Sequence, residues 1–260
     1  EQAAELGWRE FFSDARLREL IALTLANNRD LRVAALNVQR ARAQYRVQDA
    51  STLPNLNAGA SLSRLQDGNS ASVQLGLSAF ELDFFGRIKN LSEAALQQTF
   101  ASDESRRSLQ ISLVAEAANA WLTLAADLER QRLAEQTLAT RRQSFDLNSR
   151  RHQLGAISGL VLVQSQTAVD QARVDVASSG AQVEQDRHAL ELLVGAAVPA
   201  ELLPGGTDMA TVSALVELPA GVPSSVLQGR PDVLAAEHQL RAAHADIGAA
   251  RAAMFPRIAL

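Results

Sequence analysis

The side chains best suited to catalysis or metal binding are few, and their spacing serves neither. The four histidines, His152, His188, His238 and His244, form no His-x-x-x-His pair and have no glutamate at the spacing of a zinc protease. They read as surface or helix-end histidines. The chain has no cysteine, which excludes a disulfide framework, thiol catalysis and thiolate metal sites. Gly205-Gly206 is not followed by Lys-Ser or Lys-Thr, so it is not a phosphate loop. No enzymatic constellation and no cofactor are expected. The one concentrated charge feature is Arg141, Arg142, Arg150 and Arg151. Near a helix end such cations complement the carbonyl dipoles; the alternative is a docking surface or an electrostatic filter. Asp170, Glu184 and Asp186 read as solvated charges, or as charges facing a water-filled lumen. A formal net charge of −4 with arginines scattered among acids gives no nucleic-acid footprint.

The elements around these residues are thin and alanine-rich. Hydrophobic residues make up 47% of the 260, but only two are Trp, one is Tyr and eight are Phe. That is little for a thick globular core and suits closely packed helices. Asp14 is placed to cap a first helix carried by Leu17, Leu20, Ile21 and Leu25, which stops near Asn27-Asn28. Asp30 is read as the cap of a second. Its apolar positions Leu31, Ala34, Val38, Ala41 and Tyr45 step by three and four until Pro54, giving an amphipathic helix of about 20 residues.

From Leu56 the period becomes two. Leu56, Ala58, Ala60 and Leu62 share one face, and Val73, Leu75, Leu77 and Ala79 share a face of the return strand, with a turn near Asp67-Gly68. Small polar residues fill the other faces. Each strand approaches the ~9 to 11 residues that a tilted barrel strand needs to cross a bilayer. An ordinary hairpin with one side on a soluble core is the other reading. Phe80, Phe84 and Phe85 follow where strand turns into helix, either as part of an interfacial aromatic girdle or as a local hydrophobic plug.

After Gly86 neither Gly nor Pro occurs until Gly155. An unbroken helix over Arg87–Leu154 would be ~100 Å long at 1.5 Å per residue. Leu162, Val169, Val176, Val183 and Leu190 then recur at intervals of seven, a coiled-coil seam. Between the two segments, Leu154-Gly-Ala-Ile-Ser-Gly-Leu160 reads as a tight helix-to-helix turn, with Ser158 positioned as a cap. The return helix is about half the length of the outgoing one. Pro199, Pro204, Gly205-Gly206, Pro219, Gly221, Pro223 and Gly229 make the chain irregular where the rest of the long helix needs covering.

The chain also repeats. The shift that places Asp30 on Asp232 also places Pro54 on Pro256, Leu31 on Val233, Val38 on Leu240, Tyr45 on Ile247 and Leu56 on Ile258. The expected consequence is that Arg257-Ile-Ala-Leu260 begins a second hairpin and that the chain is a fragment, with about 150 to 200 further residues in the intact protein. Its first residues lack the charged and apolar regions of a signal peptide, so an export signal is expected to have been removed or never included. No run of 18 apolar residues suggests a transmembrane helix.

Several stretches in order along the chain carry a resemblance. They are Trp8-Arg-Glu-Phe-Phe12, Asn27-Asn-Arg-Asp-Leu-Arg-Val-Ala-Ala-Leu-Asn-Val38, Glu81-Leu-Asp-Phe-Phe-Gly-Arg87, Gln164-Ser-Gln-Thr-Ala-Val169, Leu218-Pro-Ala-Gly-Val-Pro223, Arg230-Pro-Asp232 and Ile247-Gly-Ala-Ala-Arg-Ala-Ala253. With them the chain resembles the outer-membrane factors of tripartite efflux systems, the TolC superfamily, most closely the OprM-like, NodT-type lipoproteins. The resemblance implies a homotrimer in the outer membrane of a Gram-negative bacterium, with a β-barrel in the lipid bilayer and a helical tunnel in the periplasm. It implies two partners, a periplasmic membrane-fusion adaptor and an inner-membrane transporter of the resistance-nodulation-division class. The duct would passively pass drugs or other toxic compounds. It makes Leu154, Gly155, Ala156, Ile157, Ser158, Gly159 and Leu160 an adaptor-docking tip. The chain departs from the family pattern at Val161, where relatives often carry Asp, and at Gly229-Arg-Pro-Asp, where most carry Arg-Arg-Pro-Asp. The lipid-bearing cysteine is absent, and the inner gate is expected beyond Leu260.

The fold class expected is mainly α with a β-hairpin: a long antiparallel coiled-coil hairpin, strands of a trimeric transmembrane barrel, and a truncated internal duplication. The organisation expected is 1–29, N-terminal segment and short helix; 30–53, first tunnel helix; 54–85, transmembrane hairpin; 86–195, long helical hairpin; 196–229, irregular equatorial region; 230–255, repeat of the first tunnel helix; and 256–260, start of a second hairpin. The competing architecture is a soluble periplasmic coiled-coil scaffold or adaptor-like protein.

Overall fold

The computed structural model describes residues 7–54, 56–65, 68–77, 80–205 and 224–259. In chain order the elements are α1 (Trp8–Phe11), α2 (Ala15–Asn27), α3 (Arg29–Ala50), β1 (Leu56–Leu65), β2 (Gly68–Leu77) and β3 (Glu81–Leu82). After them come α4 (Arg87–Gln153), α5 (Gly159–Val194), 3-10 turns at Ala200–Leu202 and Ser224–Gly229, α6 (Pro231–Ala252) and β4 (Ile258–Ala259). Two compact units emerge: Glu1–Arg29 with Gln110–Pro223, and Asp30–Leu109 with Ser224–Leu260. Helix α4, 67 residues without a break, contributes to both.

In the first unit, α2 starts because the Asp14 carboxylate accepts hydrogen bonds from the amides of Arg16 (2.7 Å) and Leu17 (3.3 Å), two donors a helix start leaves unpaired. Its apolar face, Leu17, Leu20 and Ile21, is fully enclosed with Trp121 and Leu124 of α4 and Leu190 and Val194 of α5. Trp121 is completely buried, and its indole N–H donates to the Leu202 carbonyl at 2.9 Å, so burial leaves no polar atom unpaired. Helix α5 ends at Gly195, whose φ of 78° closes the helix in the left-handed conformation. A Cβ there would also lie 2.8 Å from the Asn27 carbonyl oxygen. The close approach lets Asn28 Nδ2 donate to the Leu193 carbonyl at 2.8 Å.

Farther along the α4–α5 hairpin the seam is thinner. Val169 and Ala172 pack with Leu138, flanked by Phe145 and Val176. The heptad positions Val169, Val183 and Leu190 are buried, and Leu162 and Val176 are half-buried. By length and composition alone, α4 holds one stretch apolar enough to cross a bilayer, with mean hydropathy 1.2. About a third of that stretch is buried in protein packing, and Leu113, Ala117, Ala118, Trp121 and Leu124 are among the buried side chains of α4.

In the second unit, α3 and α6 each have 22 residues, and their starts and the strands that follow them, β1 and β4, keep the register of the sequence repeat. Ser92 Oγ of α4 donates to Asp49 Oδ1 of α3 at 3.1 Å, and His238 Nδ1 of α6 meets Gln97 Oε1 of α4 at 2.7 Å. Strands β1 and β2 pair antiparallel with Leu56 opposite Leu77 and Leu65 opposite Gly68. Strands β3 and β4 form a second pair, Glu81 opposite Ala259 and Leu82 opposite Ile258.

Two local expectations need correcting. Asp30 does not cap α3, which already begins at Arg29, so its carboxylate sits inside the first turn, where it still complements the helix dipole. Ser158 occupies the position before α5 but makes no side-chain capping bond. The turn near Asp67 and the segment 206–223 lie outside the described residues.

Candidate functional site

The β1–β2 hairpin supplies the first candidate surface. Its register puts Leu56, Ala58, Ala60 and Leu62 directly opposite Leu77, Leu75, Val73 and Ala71, so these eight positions share one face. Ala71 was missed by the sequence reading, although its parity with Val73 and Leu75 was available. Ala79 lies outside the described residues, and of Leu77 only the backbone register is described. The face is open: Leu56, Leu62, Val73 and Leu75 are each about four-fifths or more exposed, with Leu62 at 88%. The opposite face is lined by Asn57, Gly59, Ser61 and Ser63 facing Gly76, Gln74, Ser72 and Ser70, and the Ser61 and Ser72 hydroxyls share a 2.7 Å hydrogen bond. One side of this ribbon is apolar, the other small and polar, and no described element covers the apolar side.

At the base of the hairpin the chain turns into α4. Phe80 is half-buried, while Phe84 and Phe85 are exposed in the turn after β3. Phe85 stacks on Phe255 with ring centroids 4.4 Å apart and planes 10° from parallel. Arg87 grips Glu81 through two hydrogen bonds, Nε to Oε1 at 2.9 Å and Nη2 to Oε2 at 2.5 Å. Asp83 Oδ2 accepts from the Lys89 amide at 2.8 Å, which caps the start of α4. The junction is therefore held by a bidentate ion pair, a cap and a ring stack.

The second candidate surface is the turn between α4 and α5. Gly155 has φ 74°, and the Ala156 amide returns to the Arg151 carbonyl at 2.8 Å while the Gly155 amide bonds His152 O at 2.9 Å. His152 Nδ1 lies 3.0 Å from the Ile157 carbonyl, tying the two sides of the turn together. Leu154 is 85% exposed; Ala156, Ser158, Gly159 and Leu160 are exposed too, and only Ile157 is half-buried. Arg141, Arg142, Arg150 and Arg151 are all exposed on the adjoining α4. The result is a rigid apolar knob with a basic neck.

Among the described residues the side chains suited to chemistry stay apart. Among the described residues no cluster of three or more His, Asp or Glu is placed to hold a metal ion. His152 and His238 have the partners given above, His188 faces Glu191 at 3.7 Å, and His244 is exposed.

The chain matches known proteins along nearly its whole length. A family model described as outer membrane efflux protein matches residues 20–196 and 222–260. The chain belongs to the outer membrane efflux protein family. It is 47% identical over 271 residues to the probable efflux pump outer membrane protein TtgC of Pseudomonas putida, covering 99% of this chain and 55% of that protein. It is 42% identical over 260 residues to the cation efflux system protein CusC of Escherichia coli, covering 98% of this chain and 56% of CusC. The crystal structure of the open state of the Neisseria gonorrhoeae MtrE outer membrane channel superposes with a TM-score of 0.84 at 38% identity, over 98% of this chain and 58% of MtrE. The chain thus spans about half the length of the curated relatives it matches. Family membership accounts for the fold class read from the sequence, helical with a small antiparallel sheet.

Proposed function

We propose that this chain is part of a passive exit duct in the outer membrane of a Gram-negative bacterium, working in a tripartite efflux pump and performing no chemistry of its own. The observation that carries the proposal is the β1–β2 ribbon. An apolar face this exposed would be driven to cover itself in water, and a bilayer covers it at no further conformational expense. Leu56, Ala58, Ala60, Leu62, Val73, Leu75 and Leu77 then face lipid, with Ala79 continuing the series. The polar face turns to a water-filled lumen. Phe80, Phe84 and Phe85 mark the membrane interface, where aromatic rings sit at headgroup level.

Copies of the chain assemble as a homotrimer around the lumen. The supporting observation is large apolar side chains without cover on the repeat helices: Val33, Leu36 and Val47 on α3, and Val233, Leu240 and Ile247 on α6. The knob at Leu154–Leu160 is the docking tip for a periplasmic adaptor, which links the duct to a resistance-nodulation-division transporter in the inner membrane. Cargo is chosen upstream, in keeping with relatives whose names refer to toluene, antibiotics and cations. A soluble scaffold is the weaker reading, since it needs a core under the hairpin and no described element provides one.

The test is Leu75→Asp in the intact protein. A carboxylate on the lipid face costs on the order of 2 kcal/mol or more near mid-bilayer. The expected outcome is loss of trimer from outer-membrane fractions, while Gln74→Asp on the opposite face assembles normally. Normal outer-membrane trimer with Leu75→Asp would overturn the duct reading.

A further inference from the structure

The apolar face of the β1–β2 ribbon ends on a cation. Along β1 its positions run Leu56, Ala58, Ala60, Leu62 and then Arg64; their partners along β2 run Leu77, Leu75, Val73, Ala71 and then Asn69. Strand alternation puts Arg64 on the side of Leu62, away from the side that holds Ser61 and Ser63. Arg64 is exposed, and among the described residues no carboxylate pairs with it. Arg87, at the start of α4, is by contrast gripped by Glu81.

The position of Arg64 along the strand gives this charge a meaning. Eight residues of β1 lead from Leu56, at the end of the ribbon nearest in the chain to the aromatic cluster, to Arg64. That is ~27 Å along the strand at ~3.4 Å per residue, and ~20 Å along the membrane normal at a barrel tilt of ~40°. With Phe80, Phe84 and Phe85 at the inner edge, below Leu56, Arg64 falls at the outer edge of an apolar band about 25 Å tall. An arginine on a lipid face is costly at mid-bilayer and close to neutral at the interface. Its apolar stem can lie along hydrocarbon while the guanidinium stays among headgroups.

At that level the guanidinium needs a counter-charge. Its planar fork of donors matches two oxygens of one phosphate. The outward leaflet of a Gram-negative outer membrane is built of glycolipid that carries phosphate on its sugars. Asn69, opposite in the register, is an amide, a residue type that can donate to sugar or phosphate oxygens.

We propose that Arg64 is a binding site for the phosphate of an outer-leaflet glycolipid, fixing the outer end of the hairpin at headgroup level. The proposal rests on the duct reading, because a lipid-facing ribbon is what brings Arg64 to the headgroups.

The test compares the intact protein with its Arg64→Gln variant in phosphatidylcholine nanodiscs containing either diphosphorylated lipid A or its dephosphorylated form. Native mass spectrometry measures the glycolipid that each trimer retains. Wild type is expected to hold the phosphorylated glycolipid about tenfold more tightly than Arg64→Gln, and the two proteins to hold the dephosphorylated form equally. Arg64→Lys, which keeps the charge and loses the fork, is expected to fall between them. Equal retention by wild type and Arg64→Gln, or equal retention of both glycolipids by wild type, would overturn the proposal. Displacement of the glycolipid by millimolar inorganic phosphate would overturn the assignment to lipid. Outer-membrane trimer yield separates this proposal from the duct reading: Arg64→Gln should assemble as wild type does. Normal assembly with equal retention removes the phosphate site alone, whereas failure of wild type to enter a bilayer removes both.

Discussion

Helices α3 and α6 occupy equivalent places in the repeat, have the same length, and bury opposite faces. On α3 the buried side chains are Val38 and Ala41; their counterparts on α6, Leu240 and Ala243, are exposed. On α6 the buried side chains include Ala235, Ala242 and Ala249; the counterparts on α3 are Val33, Arg40 and Val47, all exposed. Residue size follows the same division. The buried α6 positions are alanines, and Gly248 beside them approaches Asn90 of α4 closely, whereas the matching α3 positions are Val33, Arg40 and Val47. A duplicated helix thus keeps its bounds and period while its neighbours decide which side is covered. The uncovered face of each copy is what the trimer proposal asks a further chain segment to fill.

The largest expected effect falls where the two copies differ most in crowding. A Cβ on Gly248 would lie 2.9 Å from Asn90 Cγ of α4. Gly248→Leu overpacks that contact and should destabilise by about 3 kcal/mol. The equivalent α3 position is Arg46, which is exposed, so Arg46→Leu should stay within about 0.5 kcal/mol. Chemical denaturation of the two variants measures this, and equal losses would break the asymmetry. A smaller effect is expected at Val38 and Leu240. Val38→Ala removes two buried methyl groups and should cost about 2 kcal/mol of unfolding free energy. Leu240→Ala, at the matching exposed position, should change folding stability by less than about 0.5 kcal/mol. Reversal of that order would mean that the faces are assigned the wrong way round.

Much of this was legible before the structure, for identifiable reasons. The period of two over Leu56–Leu62 and Val73–Leu77, the run without Gly or Pro from Arg87, and the sevens from Leu162 to Leu190 are local patterns set by backbone geometry. The repeat needed only a matching register, and α3, α6, β1 and β4 keep it. Which face of a repeat helix is buried was not legible, because periodicity marks a stripe without naming what covers it. Val38 and Leu240 match in the sequence and part in the structure. Trp121 likewise finds Leu202 across a long stretch of chain, a contact that no local pattern encodes.

The most direct test of the duct account uses one repeat position on both helices. Val47 on α3 is 75% exposed, and its equivalent on α6, Ala249, is 5% exposed. A photo-crosslinking amino acid is placed at each position in turn, in the intact protein in outer membranes. Position 47 should yield products between copies of the chain, and position 249 only products within a chain. Absence of inter-copy products at position 47 from a well-expressed protein would contradict the account.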